Sequence, residues 1–308
     1  MILCCGEALI DMIPTPTTGG QDGFVPHTGG AVYNTAIALG RLGARSGLLT
    51  GLSTDMFGQQ LSDGLRASHV DASLCILSDR PTTLAFVRLV DGHATYSFYD
   101  ENSAGRMLSP SDMPTLTDEI TALFFGGISL ACEPGADAYA ALLEREGAHR
   151  AVMLDPNIRP GFIQDIARYR ARLGQMISQA DIVKVSDEDL NWIDPAPLSM
   201  SDKVHTILEA GPAMVILTRG GDGATAYLAD GAQVHVPAAT VDIHDTVGAG
   251  DTFNAGVLAK LSEMGQLRKP DLHALPSEAL HEAMTHGAKV AAVTVSRAGA
   301  NPPWAGEL

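Results

Sequence analysis

Basic side chains are scarce in this sequence. Its 308 residues include 20 lysines and arginines against 36 aspartates and glutamates, a formal net charge of −16 at pH 7. Proteins that bind nucleic acid use Lys and Arg to neutralise phosphates, so the composition argues against a nucleic-acid partner. The same charge repels free nucleotides at long range, so any phosphate group would have to be held by local contacts.

Cysteine is also sparse, and no CxxC or His/Cys cluster is present that would indicate a metal site. Cys4 and Cys5 lie in one apolar run and would point to opposite faces of a strand. We expect free thiols in a reducing compartment. No apolar run is long enough to span a membrane, and the opening residues form no basic leader. The sequence therefore predicts a cytoplasmic protein without a membrane partner.

Short apolar runs recur along the chain, and the composition, 45% apolar and 18% charged, allows a large core. The length suits one large α/β domain with an appendage. Helical patterns follow several runs, which favours a mostly parallel sheet covered by helices on both faces. Ligands in such folds bind at the carboxyl ends of the strands. The runs are Ile2–Cys5, Gly47–Leu52, Ala122–Phe125, Ala151–Leu154, Ile182–Val185 and Met214–Leu217.

One segment departs from this pattern. Thr83–Val90 and Ala94–Tyr99 are rich in β-formers and are separated by Asp91-Gly92-His93, which is a strong hairpin signal. We interpret the segment as a β-flap outside the main sheet. An antiparallel edge of the main sheet fits the pattern equally well.

The segment Asp245–Gly256 reads Asp-Thr-Val-Gly-Ala-Gly-Asp-Thr-Phe-Asn-Ala-Gly and is the most informative of the chain. Apolar residues after Asp251 recur with helical spacing, so the glycine-rich run opens a helix. Unpaired N–H groups and the helix dipole favour an anion there. Asp251 could cap the helix. We favour a second role, in which the N–H groups hold a phosphoryl group while Asp251 accepts the proton of an attacking hydroxyl.

This segment resembles the second signature of the PfkB, or ribokinase-like, carbohydrate kinases. Further matching segments occur in the order typical of that family and cover essentially the whole chain. They are Gly6–Asp11, Gly29–Asn34 with Ala36–Gly43, Gly51–Gly58, Asp155–Pro160 and Thr218–Gly223.

The resemblance implies a single ribokinase-like α/β domain over residues 1–308: a mostly parallel sheet flanked by helices, with a small β-sheet lid built from about 12–28 and 83–105. It implies Asp251 as the catalytic base, and it implies an anion hole. It also implies a set of sugar-binding residues, although Asp11 could be a turn residue, Asn34 a helix cap and Arg159 an exposed surface side chain. The anion hole would comprise Gly248, Ala249 and Gly250, and the sugar-binding set Asp11, Gly29, Gly30, Asn34, Asn157 and Arg159.

The resemblance further implies ATP and Mg²⁺ as cofactors, and K⁺ at a monovalent-cation site that would use Asp245. Thr218, Gly220, Gly223 and Lys184 would lie beside the nucleotide, although a Gly-rich turn alone is weak evidence for phosphate. Where relatives carry Asn-x-x-Glu, this chain has Ser186-Asp187-Glu188-Asp189. Asp189 or Glu188 would then contact Mg²⁺ through water.

The segments Gly6–Asp11 and Asp155–Pro160 most resemble the fructokinase branch, which implies transfer of the γ-phosphoryl group of ATP to the primary hydroxyl of fructose. The alternative substrate is the sugar acid 2-keto-3-deoxygluconate, which needs a cation in its pocket. Asp100 and Glu101 lie where that cation would help, which favours a neutral sugar, whereas Arg88 and Arg106 keep the alternative open.

Another sugar or a nucleoside also fits as the substrate, and a non-catalytic sugar-binding regulator with a kinase-derived fold is a hypothesis of a different class. A dehydrogenase is disfavoured because no Gly-x-Gly-x-x-Gly follows the first strand. Of the flap aromatics Tyr96, Phe98 and Tyr99, we expect packing within the flap before contact with a sugar. Exposed flap strands would also suit a homodimer.

Overall fold

The structure is a computed structural model, which describes residues 1–90 and 93–308. For Asp22, Arg88–Val90 and His93–Tyr96 the description covers the backbone alone. The predicted Asp91-Gly92 turn therefore lies outside the described residues, as do the side chains of Arg88 and Tyr96.

Strands recur throughout the described chain, and the parallel strands of the largest sheet are short and buried at every residue or at all but the last, as expected for a covered sheet. They are β1 (Ile2–Cys5), β2 (Leu9–Pro16), β3 (Asp22–Gly29), β4 (Ser46–Leu49), β5 (Gly51–Ser53), β6 (Ile76–Ser78), β7 (Leu84–Val90), β8 (His93–Tyr99), β9 (Ala122–Gly126), β10 (Ala151–Asp155), β11 (Ile182–Ser186), β12 (Met214–Thr218), β13 (Ala224–Leu228) and β14 (Gln233–Val236).

Helices alternate with the strands of the main sheet. They are α1 (Ala31–Arg41), α2 (Met56–Ala67), α3 (Gly135–Glu146), α4 (Ile166–Ile177), α5 (Asp187–Ile193), α6 (Met200–Glu209), α7 (Ala249–Glu263), α8 (Lys269–Leu272) and α9 (Ser277–Val295). None of the helices in residues 1–90 and 93–308 combines the length and the apolar character that crossing a bilayer would need.

The main sheet has eight strands in the order β14-β13-β12-β11-β10-β9-β1-β4. Neighbours from β4 to β12 are parallel, and β13 and β14 complete one edge as antiparallel strands. The prediction of a mostly parallel sheet is confirmed. The apolar run Gly47–Leu52, however, is not one strand: the chain leaves the main sheet after β4, and β5 pairs with β6 in a separate two-stranded sheet.

Successive residues of a strand point to opposite faces of the sheet. Helices cover both faces of the main sheet, so the side chains of each face pack against helices. Cys4 belongs to the core beneath α1, α7 and α9, whereas Cys5 belongs to the core beneath α3, α4 and α6. Both thiols are free and buried, as predicted. Packing on both faces fixes the parallel strands side by side, so their carboxyl ends lie along one edge of the sheet.

The remaining strands form a second, four-stranded sheet in the order β3-β2-β7-β8. β7 and β8 are antiparallel and belong to this sheet, so the flap interpretation is right and the alternative of a main-sheet edge is wrong. The sheet contains the segments predicted for a lid. Its register aligns Asp11, Ala85 and Phe98 across three strands on one face.

Candidate active site

A cavity of about 780 Å³ lies at the carboxyl ends of the parallel strands, next to the four-stranded sheet. Its size is in the range of small-molecule sites. Many of the predicted site residues line it together, although they are far apart in the sequence. They are Asp11, Gly30, Asn34, Asn157, Arg159, Lys184, Gly248, Ala249, Gly250 and Asp251.

Helix α7 begins in this cavity. Its N-cap, Gly248, has φ 78°, and no side chain caps the helix. A side chain at Gly248 would be strained by this φ and would also lie 2.7 Å from Cβ of Ala300. No acceptor among the described residues is bonded to the N–H groups of Gly248, Gly250 or Asp251, whereas the N–H of Ala249 donates to the carbonyl of Thr246 at 3.3 Å. Open N–H groups at the start of a helix favour an anion. Gly248, Gly250 and Asp251 supply these donors, and we call them the anion site.

Asp251 lies in the first turn of α7 and is buried. Its Oδ2 accepts a hydrogen bond of 2.9 Å from Nδ2 of Asn34, and its carbonyl accepts one from the hydroxyl of Thr35. Burial raises the pKa of Asp251 from 3.8 to about 7, while the Asn34 contact and the charge of Lys184 oppose the rise. A carboxylate with a pKa near neutrality, facing a cavity, suits a general base. Asn34 was predicted to contact sugar or cap a helix; in the structure it lines the cavity and its amide donates to Asp251.

Lys184 reaches the same place from strand β11. Its Nζ lies 3.1 Å from Oδ2 of Asp155 and 3.1 Å from the position that a Cβ on Gly250 would occupy. The ammonium group is therefore directly beside the anion site. Burial opposes its charge, but the carboxylates of Asp155 and Asp189 outweigh burial and raise the pKa of Lys184.

Asp155 and Asn254 belong to the same network, and sequence reasoning assigned them no role. Nδ2 of Asn254 donates to Oδ2 of Asp155 at 2.7 Å, and both side chains are buried. Asp155 is the last residue of a parallel strand, and Asn254 lies one turn after Gly250 in α7. These positions, at a strand end and near a helix start, were the signal in the sequence that could have marked both residues as site candidates. The pair holds Lys184 in place beneath α7.

The side of the cavity next to the four-stranded sheet is built around Asp11 on β2. No described residue donates a hydrogen bond to its carboxylate, and burial raises the pKa of Asp11 to about 6. A Cβ on Gly29 would lie 2.1 Å from Oδ2 of Asp11, so a side chain at position 29 would displace the carboxylate. Gly29 itself does not line the cavity. The free oxygens of Asp11 can accept hydrogen bonds from hydroxyl groups.

Glu7 is a further cavity residue that the sequence did not single out. Its Oε1 accepts from the N–H of Ala31 at 3.0 Å and its Oε2 from the N–H of Ser129 at 3.2 Å. Gly30, with φ 103°, offers no side chain to cap α1, so Glu7 supplies the cap from another strand end. Burial raises the pKa of Glu7, and these hydrogen bonds oppose the rise. Glu7 thus positions the start of α1, which carries Asn34.

The loop after β10 brings Asn157 and Arg159 to the cavity. Asn157 has φ 41°, which is unusual for a residue other than glycine. The N–H of the next residue, Ile158, donates to Oδ1 of Asp189 at 2.7 Å. Arg159 is exposed, and its guanidinium contacts the carbonyls of Asn157 and Ile158. It remains available to a ligand at the rim.

Asp189 and Glu188 do not line the cavity. Besides Ile158, Asp189 binds the N–H and the hydroxyl of Ser186 in a capping box at the start of α5. Its carboxylate is thus engaged in holding two chain segments, and Glu188 is exposed. Within the described residues, no three His, Cys, Asp or Glu side chains come together as a metal cluster. The described residues therefore provide no set of protein ligands that could coordinate Mg²⁺ by itself.

The remaining predicted nucleotide and cation residues also lie outside the cavity lining. Thr218 ends strand β12, and its hydroxyl contacts the carbonyl of Val185 at 3.4 Å. Gly220 and Gly223 have φ 48° and 87° and form the turn before β13. The carboxylate of Asp245 joins two loops by accepting from the N–H groups of Val247 and Gly299.

The profile described as pfkB family carbohydrate kinase matches residues 1–305. This chain belongs to the PfkB family of carbohydrate kinases. A fructokinase from Rhizobium leguminosarum bv. trifolii is 51% identical over 280 residues, which are 91% of this chain and 85% of that protein.

Solved structures of PfkB relatives have the same fold. A fructokinase from Xylella fastidiosa with bound ATP superposes with a TM-score of 0.88 at 27% identity, covering 97% of this chain and 93% of that chain. A fructokinase from Vibrio cholerae O395 in a form with fructose, ADP and calcium ion has a TM-score of 0.83 at 26% identity, covering 97% and 94%. The ribokinase-like fold predicted from the sequence is confirmed.

Proposed function

We propose that this PfkB protein transfers the γ-phosphoryl group of ATP to the primary hydroxyl of fructose. The observation that carries the proposal is the arrangement at the start of α7. A buried carboxylate with a pKa near 7, Asp251, adjoins open N–H groups and the Lys184 ammonium. The similarity to fructokinases, 51% identity in one case, supports fructose as the acceptor.

Each residue has a chemical task in this proposal. Asp11 accepts hydrogen bonds from sugar hydroxyls and orients the ring. Asp251 accepts the proton of the primary hydroxyl as that oxygen attacks phosphorus, and Asn34 keeps the carboxylate directed at it. The N–H groups of Gly248 and Gly250 and the ammonium of Lys184 hold the negative charge of the transferring group. ATP supplies the phosphoryl group and leaves as ADP.

The cofactors of this proposal are ATP, Mg²⁺ and K⁺. Because the described residues form no carboxylate cage, we propose that Mg²⁺ arrives with ATP, held by phosphate oxygens and water. Thr218, Gly220 and Gly223 would flank the nucleotide beyond the cavity. K⁺ would bind beside the loop that Asp245 organises. Asp189 would act through the Ile158 loop and through water.

The test is a coupled assay of ADP release over a panel of ketohexoses, sugar acids and nucleosides. Fructose should give the highest kcat/KM. Asp251→Asn should leave fructose binding nearly intact and lower kcat by a factor of about 10²–10⁴, the contribution of a positioned base. Near-normal turnover of that variant would refute the assigned role. Fructose-dependent thermal stabilisation without ADP formation would support a sugar-binding regulator instead.

The four-stranded sheet would act as the lid of a single domain spanning residues 1–308. Phe98 packs against Phe162 of the β10–α4 loop with ring centroids 4.2 Å apart, so it contacts the main domain across the cavity. Closure over the sugar would exclude water and suppress ATP hydrolysis. Substantial ATPase activity without sugar would contradict this function.

The outer face of that sheet would form a homodimer. Phe24 and Tyr99 are exposed there and pack edge-to-face on Phe86, which makes an apolar surface. Sedimentation analysis should give twice the chain mass for the wild type and a monomer for Phe24→Glu. A wild-type monomer would refute the dimer.

The free thiols suit a cytoplasmic location.

A further inference from the structure

An ion pair lies in the wall of the cavity. Arg106 Nη1 is 3.1 Å from Asp100 Oδ2, and the two side chains are 17% and 7% exposed. Both residues line the cavity. The pair thus occupies the sugar pocket's wall as a neutral unit.

Neutral groups fix both partners of this pair. Oδ1 of Asp100 accepts from the hydroxyls of Thr83 at 2.7 Å and Ser103 at 2.9 Å. Nε of Arg106 donates to the carbonyl of Glu133 at 2.9 Å. A cavity arginine that is held in this way by a buried carboxylate cannot offer its full charge to a ligand.

The remaining cations of the cavity do not replace it. Lys184 is paired with Asp155 beside the anion site, and Arg159 lies exposed at the rim. Among the lining side chains that the structure describes, acidic ones outnumber basic ones. The acids are Glu7, Asp11, Asp100, Glu101 and Asp251, and the bases are Arg106, Arg159 and Lys184. A carboxylate on the substrate would therefore enter a negative pocket.

We propose that Asp100 is a specificity-determining residue, which neutralises Arg106 and thereby makes the pocket select neutral sugars over six-carbon sugar acids. This inference rests on the proposed sugar kinase function and names its substrate class. Removing the charge of Asp100 frees Arg106 to bind a carboxylate. A new charge-assisted hydrogen bond of this kind is strong enough to change selectivity by about 10- to 100-fold.

The experiment compares fructose with 2-keto-3-deoxygluconate in the wild type, in Asp100→Asn and in the double variant Asp100→Asn/Arg106→Gln. An amide at position 100 can still accept from Thr83 and Ser103. The kcat/KM ratio of sugar acid to fructose should rise at least about tenfold in Asp100→Asn. It should return to near the wild-type value in the double variant, because the freed cation is gone.

Glu146→Gln is the matched control. It breaks another buried carboxylate–arginine pair, Glu146 with Arg150, which lies away from this cavity. Its selectivity should equal that of the wild type. An unchanged ratio in Asp100→Asn, or a gain that persists in the double variant, overturns the proposal. If Asp100→Asn does not fold, as judged by circular dichroism, Asp100→Ser takes its place with the same expectations.

Calorimetric binding of both sugars without ATP separates this proposal from the proposed function. If the wild type phosphorylates no ketohexose, the function fails. The specificity proposal is then still judged by whether Asp100→Asn gains affinity for the sugar acid.

Discussion

Replacing Asp251 by asparagine should stabilise the folded protein at neutral and alkaline pH. Burial raises the pKa of this carboxyl from 3.8 to about 7, so ionising it in the folded state is unfavourable. That difference corresponds to about 4 kcal/mol. The folded state retains the proton more tightly than the unfolded state, so wild-type stability falls as pH rises from about 4 to about 7. The variant has no such loss.

The expected result is a gain of about 2–4 kcal/mol in the unfolding free energy of Asp251→Asn at pH 8, shrinking to nearly nothing at pH 4. Urea unfolding at several pH values measures it. The difference between the two proteins cancels the titration of other groups.

Asp55→Asn is the matched control, because Asp55 does cap a helix. Its Oδ1 accepts from the N–H groups of Phe57 and Gly58 at the start of α2. Burial opposes ionisation, but hydrogen bonds from Thr82 and Gly58 outweigh it and lower the pKa of Asp55. A lowered pKa means that the folded state favours the charged form, so this variant should lose stability at pH 8. If Asp251→Asn also loses stability at pH 8, Asp251 is a cap and the reasoning about a poised base is refuted.

Three further predictions concern the anion site and its cofactors. In the wild type, kcat/KM should rise with pH and level off above about 7, the pKa of Asp251. Because the Lys184 ammonium lowers that pKa, Lys184→Met should move the inflection of the pH profile to higher pH. An unchanged inflection would mean that the charge of Lys184 does not affect the base. Gly250→Ala should lower kcat while leaving the fold intact, since its Cβ would lie 3.1 Å from Nζ of Lys184. The control is Gly174→Ala, whose Cβ meets open space and which should keep wild-type kcat. Equal kcat values in the two variants would argue against contact at Gly250. Chelation of divalent ions should abolish turnover without changing the melting temperature, and Mg²⁺ should restore it; a fall in melting temperature would instead indicate a structural metal site.

Local sequence was sufficient to predict the parallel sheet and the start of α7. Continuous apolar runs such as Ala151–Leu154 are typical of covered parallel strands, and Gly-Ala-Gly before an apolar helical stripe indicates a helix that opens on an anion. The resemblance to the PfkB signatures pointed further, to Asp11, Lys184 and Asp251.

Only the tertiary structure decided what each polar group contacts. Asn34 and Asp251 are separated by 217 positions, and their hydrogen bond depends on how α1 packs against α7. The pairing of Lys184 with Asp155 likewise depends on neighbouring strands. Asp189 illustrates the limit, because its motif position suggested a metal role while its oxygens bind Ser186 and Ile158. Periodicity and residue type are local properties, whereas burial, pKa and hydrogen-bond partners are set by distant segments that folding brings together.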